Sequence, residues 1–488
     1  MSSHATEPVA PTRSDPVAAS ASEIIGGPLG RYGAAARRTA ASGWQPAAAV
    51  LVGLSSLTVA LGVLQKGHCL TKGWSNPDQF WHACYSDLPV SSGIGQAMPY
   101  LPGAPRLDQP LISGLVMWLV GLVVPDGSVL VRQQWYFSLW AVLIAIVVMA
   151  LVVVTAASVP RAPWRAAHVA LSPVLVLAGL ISVDLFGVLL ASVALWAWGR
   201  SKVLVAGLAL GLAISARTYP LVLLVAIGLL ALRSGKIGAW SRLAAAALIT
   251  WLAVSLPWLV MNADGLLAVY RNWWRSAAGY GSPWVVSGLL GQSLPVGRVT
   301  GLVTVGWVVA LLVGAAFALS LDRRPTVAEV SLVMLVIVVV TGKAVPVQAG
   351  LWLLPLIALV GLKWRDHLIW AGLEATYFVG VWLYIAGIST PSRGLPAGFY
   401  SLLTVLRLAA WLYVLVQVWR VAKSRAAVVS PRPGEQDFAQ WESTSHVPDE
   451  QDSVQQRLVD YEFEHEEEID PLAGPMAGAP DAVLVRIS

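Results

Sequence analysis

Long apolar runs separated by short polar connections dominate the chain, and their spacing predicts an all-α, polytopic transmembrane bundle of about 11–13 spans. Crossing ~30 Å of hydrocarbon at 1.5 Å per residue takes about 20 apolar residues in a helix. Ala47–Leu64 and Trp135–Val159 approach or exceed that length. The runs do not alternate with period two, so helices rather than a closed barrel satisfy the backbone. Several others reach only about 15 residues, which predicts thin or broken spans.

The connections alternate in charge. Arg161/Arg165, Arg200/Lys202, Arg233/Lys236/Arg242, Arg323/Arg324, Lys363/Arg365 and Arg420/Lys423/Arg425 mark every second one. The positive-inside rule assigns these to the cytoplasm and the intervening connections to the outer face. Outer connections then fall near Val183-Asp184, at 216–220, from Met261 to Val299, at Gly342-Lys343 and from Thr390 to Pro396.

Three regions follow. Residues 1–43, rich in Ala, Ser, Pro and Arg, are expected to form a disordered cytoplasmic lead, and the first span an uncleaved anchor. Residues 44–425 form the membrane domain, with a long first outer loop at 66–134. Within that loop the short apolar run Leu111–Val124, ending in Pro125-Asp126-Gly127, is expected to be helical and interfacial or re-entrant. Residues 426–488, with Glu464-His465-Glu466-Glu467-Glu468, are expected to form an acidic, disordered cytoplasmic tail.

Composition agrees: hydrophobic residues make up 57% of the 488, charged residues 12%, and mean hydropathy is +0.68. The net charge of +5 is spread over short loops, so it reads as topology rather than a nucleic-acid face. Most of the 23 Trp fit an aromatic belt. No Walker-type phosphate loop is present, and no nucleotide-sugar domain. A glycosyl donor, if used, has to arrive from the membrane in lipid-linked form; no cofactor is expected.

Charges on the outer side are the candidates for chemistry: Asp78, Asp87 and Asp108 in the first loop, Asp184, Arg217 and Lys343 at helix ends. A carboxylate facing cations suits a reaction in which a base deprotonates an acceptor while cations hold an anionic leaving group. Simpler roles are also open: an Asx-turn or helix cap for Asp87, and snorkelling for Asp184, Arg217 and Lys343. Arg271 and Arg275, with Trp273 and Trp274, have the pattern of an amphipathic interfacial anchor. Cys69 and Cys84 lie in the first outer loop, where an oxidising compartment allows them to pair as a staple. His68 and His82 share that loop with the acids, but their linear spacing is not that of a structural metal site, and no metal is expected.

Taken in order, Cys84-Tyr85-Ser86-Asp87-Leu88-Pro89, Ser182-Val183-Asp184-Leu185, Ala216-Arg217-Thr218-Tyr219-Pro220 and Lys343-Ala344-Val345-Pro346-Val347-Gln348 before Leu351-Trp352-Leu353-Leu354-Pro355 resemble actinobacterial membrane proteins of glycosyltransferase family 87. These are similar to polyprenyl-phosphate-mannose-dependent mannosyltransferases of the GT-C architecture. The resemblance implies transfer of mannose, or another hexose, from a polyprenyl-phosphate sugar to a lipid or cell-envelope glycan acceptor on the outer face. It implies Asp87 as the catalytic acid residue, and Arg217, Lys343 and Gln348 as donor-phosphate ligands. Asp78, Asp108, Asp184 and Tyr219 are the further candidates for substrate binding. The chain departs from the family pattern in having Ser182-Val183 before Asp184, Arg217 in place of a lysine, Val345-Pro346-Val347 before Gln348, and Leu107-Asp108-Gln109-Pro110 in place of a Glu-Tyr-Pro. A transporter or flippase for a lipid-linked substrate, or a non-catalytic envelope scaffold, are the competing readings of the same pattern.

Overall fold

A computed structural model describes residues 15–17, 20–21, 24, 43–90, 97–104, 107–428 and 470–485. Most of the two expected disordered tails therefore lies outside the described residues. Among those residues every regular element is helical. Six helices are long and apolar enough to cross a membrane, and six shorter apolar ones accompany them. The chain is a polytopic helical bundle, as the run pattern predicts.

Helix α1 (Gln45–Gln65) leads into three short helices of the first loop, α2 (Gly67–Lys72), α3 (Asp78–Trp81) and α4 (Asp87–Val90). Helix α5 (Leu111–Gly121) has 11 residues and a rise of roughly 17 Å, too short to span. Helix α6 (Val129–Ser158), whose first turn is capped by Ser128, returns across the bundle. Two short pieces, α7 (Ala167–Ala170) and α8 (Pro173–Ala178), precede α9 (Asp184–Gly199), α10 (Val203–Ala216) and α11 (Leu221–Arg233).

Helix α12 (Ile237–Arg275) contains Pro257 and a break at Asn262, where φ is −159° and ψ 75°. Proline removes one ladder hydrogen bond, and the break separates a spanning part from the tryptophan-rich end that the sequence marks as an interfacial anchor. Then come α13 (Pro283–Leu289), α14 (Val296–Ser320), α15 (Val327–Val340), α16 (Leu354–Val360), α17 (Trp364–Ser389) and α18 (Ala397–Val428). Helices α10 and α12 approach closely through glycine. A Cβ at Gly207 would stand 2.5 Å from Ala246 Cβ, and one at Gly211 2.5 Å from the Ala247 carbonyl. Small residues of this kind let helices pack where lipid gives little hydrophobic drive.

The helix ends sort onto two faces. Contacts join the ends near Lys66, Asp184 and Arg217 on one face, and Arg233 with Arg324, at the far end of α11, on the other. At the basic face Arg233 is wholly buried and donates to the Ala318 carbonyl (2.9 Å) and to Asp481 (2.6 Å). Arg324 also reaches Asp481 (2.6 Å), and Asp470 accepts from the first amide of α15 (3.2 Å). Leu472 and Met476 are buried beside them. The stretch 470–485 thus departs from the wholly disordered tail expected. Low sequence hydropathy hid two apolar anchors, and two carboxylates answer cations and an orphan helix amide that are far away in sequence. Asp15 likewise accepts from the Trp364 amide (2.7 Å) at the start of α17.

Candidate active site

The site is assembled where α9 begins and α10 ends. Asp184 opens α9, where unsatisfied amides favour a carboxylate. It is 2% exposed, a burial that demands compensation. Arg217, extended immediately after α10, supplies it: Nε donates to Asp184 Oδ1 (2.7 Å), and Nη2 reaches the same oxygen. The Ser182 hydroxyl (2.9 Å) and the Trp352 indole N–H (2.8 Å, to Oδ2) complete the carboxylate's partners. Tyr219 stacks flat on Trp352, with ring centroids 5.1 Å apart. Close approach is possible because α9 carries Gly187 one turn in; a Cβ there would lie 3.0 Å from Arg217 Cγ.

Nη1 of Arg217 donates to the Gln109 side-chain oxygen (2.7 Å), and its side chain retains 13% exposure. Ser113 of α5 donates to the Ala216 carbonyl (2.7 Å), so α5 holds this turn in place. Asp108, beside Gln109, is exposed.

Asp87 reaches the same place from the first loop. Its amide donates to the Ile181 carbonyl (2.8 Å), and the Ser86 hydroxyl to that of Leu180 (2.7 Å), stitching α4 onto the segment that leads into Asp184. The Tyr85 hydroxyl donates to Asp87 Oδ1, and the Lys66 ammonium to the Tyr85 carbonyl (2.9 Å). Burial pushes the Asp87 carboxyl above the ordinary carboxylate range, and nearby Asp184 adds to this. The Tyr85 hydrogen bond and the charges of Arg217 and Lys66 oppose it.

The structure brings Asp87, Asp184, Arg217 and Tyr219 together. Gln348 lies half-buried in the 3-10 turn Val347–Trp352 that delivers Trp352. Lys343 is placed differently. Its ammonium donates to three carbonyls at the end of α12, those of Trp273 (3.1 Å), Trp274 (2.6 Å) and Ser276 (3.1 Å), and it lies over the Trp273 ring. It caps that helix end. Asp78 pairs with His68 and His82, and Cys69 and Cys84 form a disulfide.

Sequence reasoning missed a buried pair behind the site. Arg407 of α18 donates twice to Glu374 of α17 (2.8 and 2.9 Å), and also to the Val345 and Pro346 carbonyls. The Trp411 indole adds a third donor to Glu374 (2.6 Å). The pair holds the loop between Lys343 and Gln348. A charge of each sign inside two apolar runs was the signal available in the sequence.

Next to Arg217 opens an apolar cavity of about 410 Å³, lined by Ile214, Thr218, Leu221, Leu248, Trp251 and Tyr270 among others. Arg217, whose neighbour Thr218 lines this cleft, thus lies close to it, with the Asp87 carboxyl nearby.

Residues 110–342 match the model of Glycosyltransferase family 87, so the resemblance carried by the ordered motifs holds over this stretch. The match includes Asp184 and Arg217. Among solved structures, the crystal structure of ArnT from Cupriavidus metallidurans bound to undecaprenyl phosphate is similar at 15% identity and a TM-score of 0.37, covering 76% of this chain and 78% of that one. No curated protein matches the sequence.

Proposed function

We propose that this chain is a membrane glycosyltransferase of GT-C type that moves a hexose, mannose in the first instance, from a polyprenyl-phosphate donor to a lipid or cell-envelope glycan acceptor on the outer face. The observation that carries the reading is the convergence of Asp87 on the Asp184–Arg217 pair beside an apolar cleft. The family match supports glycosyl transfer.

In the proposed step Asp87 takes the proton of the acceptor hydroxyl as its oxygen bonds to the sugar's anomeric carbon. The bond from that carbon to the phosphate oxygen breaks, and its electrons leave with the polyprenyl phosphate. A base with a raised pKa lies nearer the working pH and transfers protons better. Arg217 meets the departing phosphate by exchanging Gln109 for it, while Asp184 and Trp352 keep the guanidinium aimed. Asp184 and Tyr219 are therefore positioning residues. Lys343 has its three protons engaged by carbonyls and supports the site through the α12 end instead.

Transfer from a polyprenyl-phosphate [14C]mannose in proteoliposomes tests the reading. Asp87→Asn should lose it with the protein still monodisperse; undiminished turnover by that variant would remove Asp87 as the base.

A further inference from the structure

We infer that the first outer loop carries a binding site for one divalent first-row transition metal, Zn²⁺ in particular, built by His68, Asp78 and His82. The linear spacing of these residues argues against a site, and folding overrides it. Helix α2 brings His68 back over α3, which begins at Asp78 and is followed at once by His82. The Cys69–Cys84 disulfide, with Cα atoms 5.8 Å apart, closes a loop that holds Asp78 and His82 and anchors it to the residue next to His68.

The closeness of the three donor atoms carries the inference. One donor atom from each residue lies within 4.8 Å of the other two. His68 Nε2 stands 2.7 Å from Asp78 Oδ2, and His82 Nδ1 3.3 Å from Oδ1. Two donors each bound at roughly 2.0–2.2 Å in a tetrahedral site are separated by about 3.3 Å, so small side-chain shifts admit an ion. The imidazoles lie flat against each other, with centroids 3.5 Å apart and an interplanar angle of 9°. Imidazole lone pairs lie in the ring planes, so metal entry requires the two rings to splay from this stack and His82 Nδ1 to leave the Asp78 carbonyl, 3.1 Å away.

Two imidazoles and one carboxylate suit Zn²⁺ and its borderline neighbours better than Ca²⁺ or Mg²⁺, which prefer oxygen alone. The side chains keep 33–44% exposure, which leaves the fourth position to water or an incoming ligand. Phe80, on the same short helix, stacks against Tyr85 and Trp382. The ion would consequently fix the loop that carries Asp87, as a positioning element beside the transfer chemistry.

Full-length protein, purified without a polyhistidine tag, is titrated with Co²⁺, whose visible absorption reports nitrogen and oxygen coordination, and Zn²⁺ is then added as competitor. The expected result is one equivalent of Co²⁺ that Zn²⁺ displaces. Affinity should fall in His82→Ala and in His68→Ala by more than the roughly 10–100-fold cost of losing a ligand's outer partner. Acidic-tail binding at His465 is common to all these proteins and cancels in the difference. Thiol labelling verifies that Cys69 and Cys84 stay joined; His82→Gln replaces any variant in which they do not. Co²⁺ absorption that persists unchanged in His68→Ala/His82→Ala, or is absent from the parent protein, overturns the site. Because the assay reads metal rather than sugar, its failure leaves the proposed transferase reaction standing, and the reverse holds equally.

Discussion

The two faces of the bundle handle charge in opposite ways. At the face with Asp87, acid and base come from the helical cage itself: Asp184 opens α9, Arg217 closes α10, and both are fixed by neighbours such as Ser182 and Trp352. At the basic face the cations are set by the helices, but a carboxylate is delivered from far along the chain. Asp481 reaches Arg233 across 248 residues and Arg324 across 157. A preset pair keeps its geometry when a substrate arrives, whereas a strap can be released without dismantling the helices. The first arrangement suits chemistry and the second suits attachment.

Four tests would break or sharpen that contrast. The largest effect is expected at Asp87, where Asp87→Asn should lower transfer by about 10²–10⁴-fold, the usual contribution of a positioned base, as read by single-turnover assay. Next, Asp184→Asn leaves the Arg217 charge without its counter-ion. Removing one partner of a buried pair costs roughly 3–5 kcal/mol, and both thermal stability in detergent and donor affinity should fall together. If Asp184→Asn binds donor normally, the preset pair is not the phosphate clamp.

A smaller effect concerns pH. Since Asp87 must be ionised to accept a proton, activity should fall on the acid side at a pH above the ordinary carboxylate value of 3.8. Lys66→Met removes a cation that favours the ionised form, so the acid limb should move to higher pH; a limb that stays put or moves down contradicts the assignment. The smallest effect is expected at the strap. Asp481→Ala should cost about 1–3 kcal/mol of stability through lost charged hydrogen bonds, with transfer unchanged. Arg233 keeps the Ala318 and Asp322 carbonyls, which limits the damage.

Much of this was legible in the sequence, and the rest was not for physical reasons. Run length and alternate basic connections gave the helical bundle, because the bilayer imposes both. Asp184 and Arg217 stood out because charges at the ends of apolar runs need partners. Lys343 stood out equally, yet nothing in its own segment tells that the carbonyls of Trp273, Trp274 and Ser276 take up all three of its protons. Glu374 and Arg407 lie 33 residues apart on separate helices, so only packing reveals them as a pair. His68, Asp78 and His82 come within 4.8 Å of one another only in the folded loop, a closeness that their linear spacing does not show.

The brevity of α10 has its own consequence. Fourteen residues rise roughly 21 Å, well under the ~30 Å of a full hydrocarbon slab, and α11 with 13 is no longer. Around such a pair the bilayer must pinch, or polar ends must sink into it. Arg217 stands at the junction between the two, so a phosphate tethered to a long isoprenoid could meet it by sideways diffusion at its own depth, without first being lifted into water.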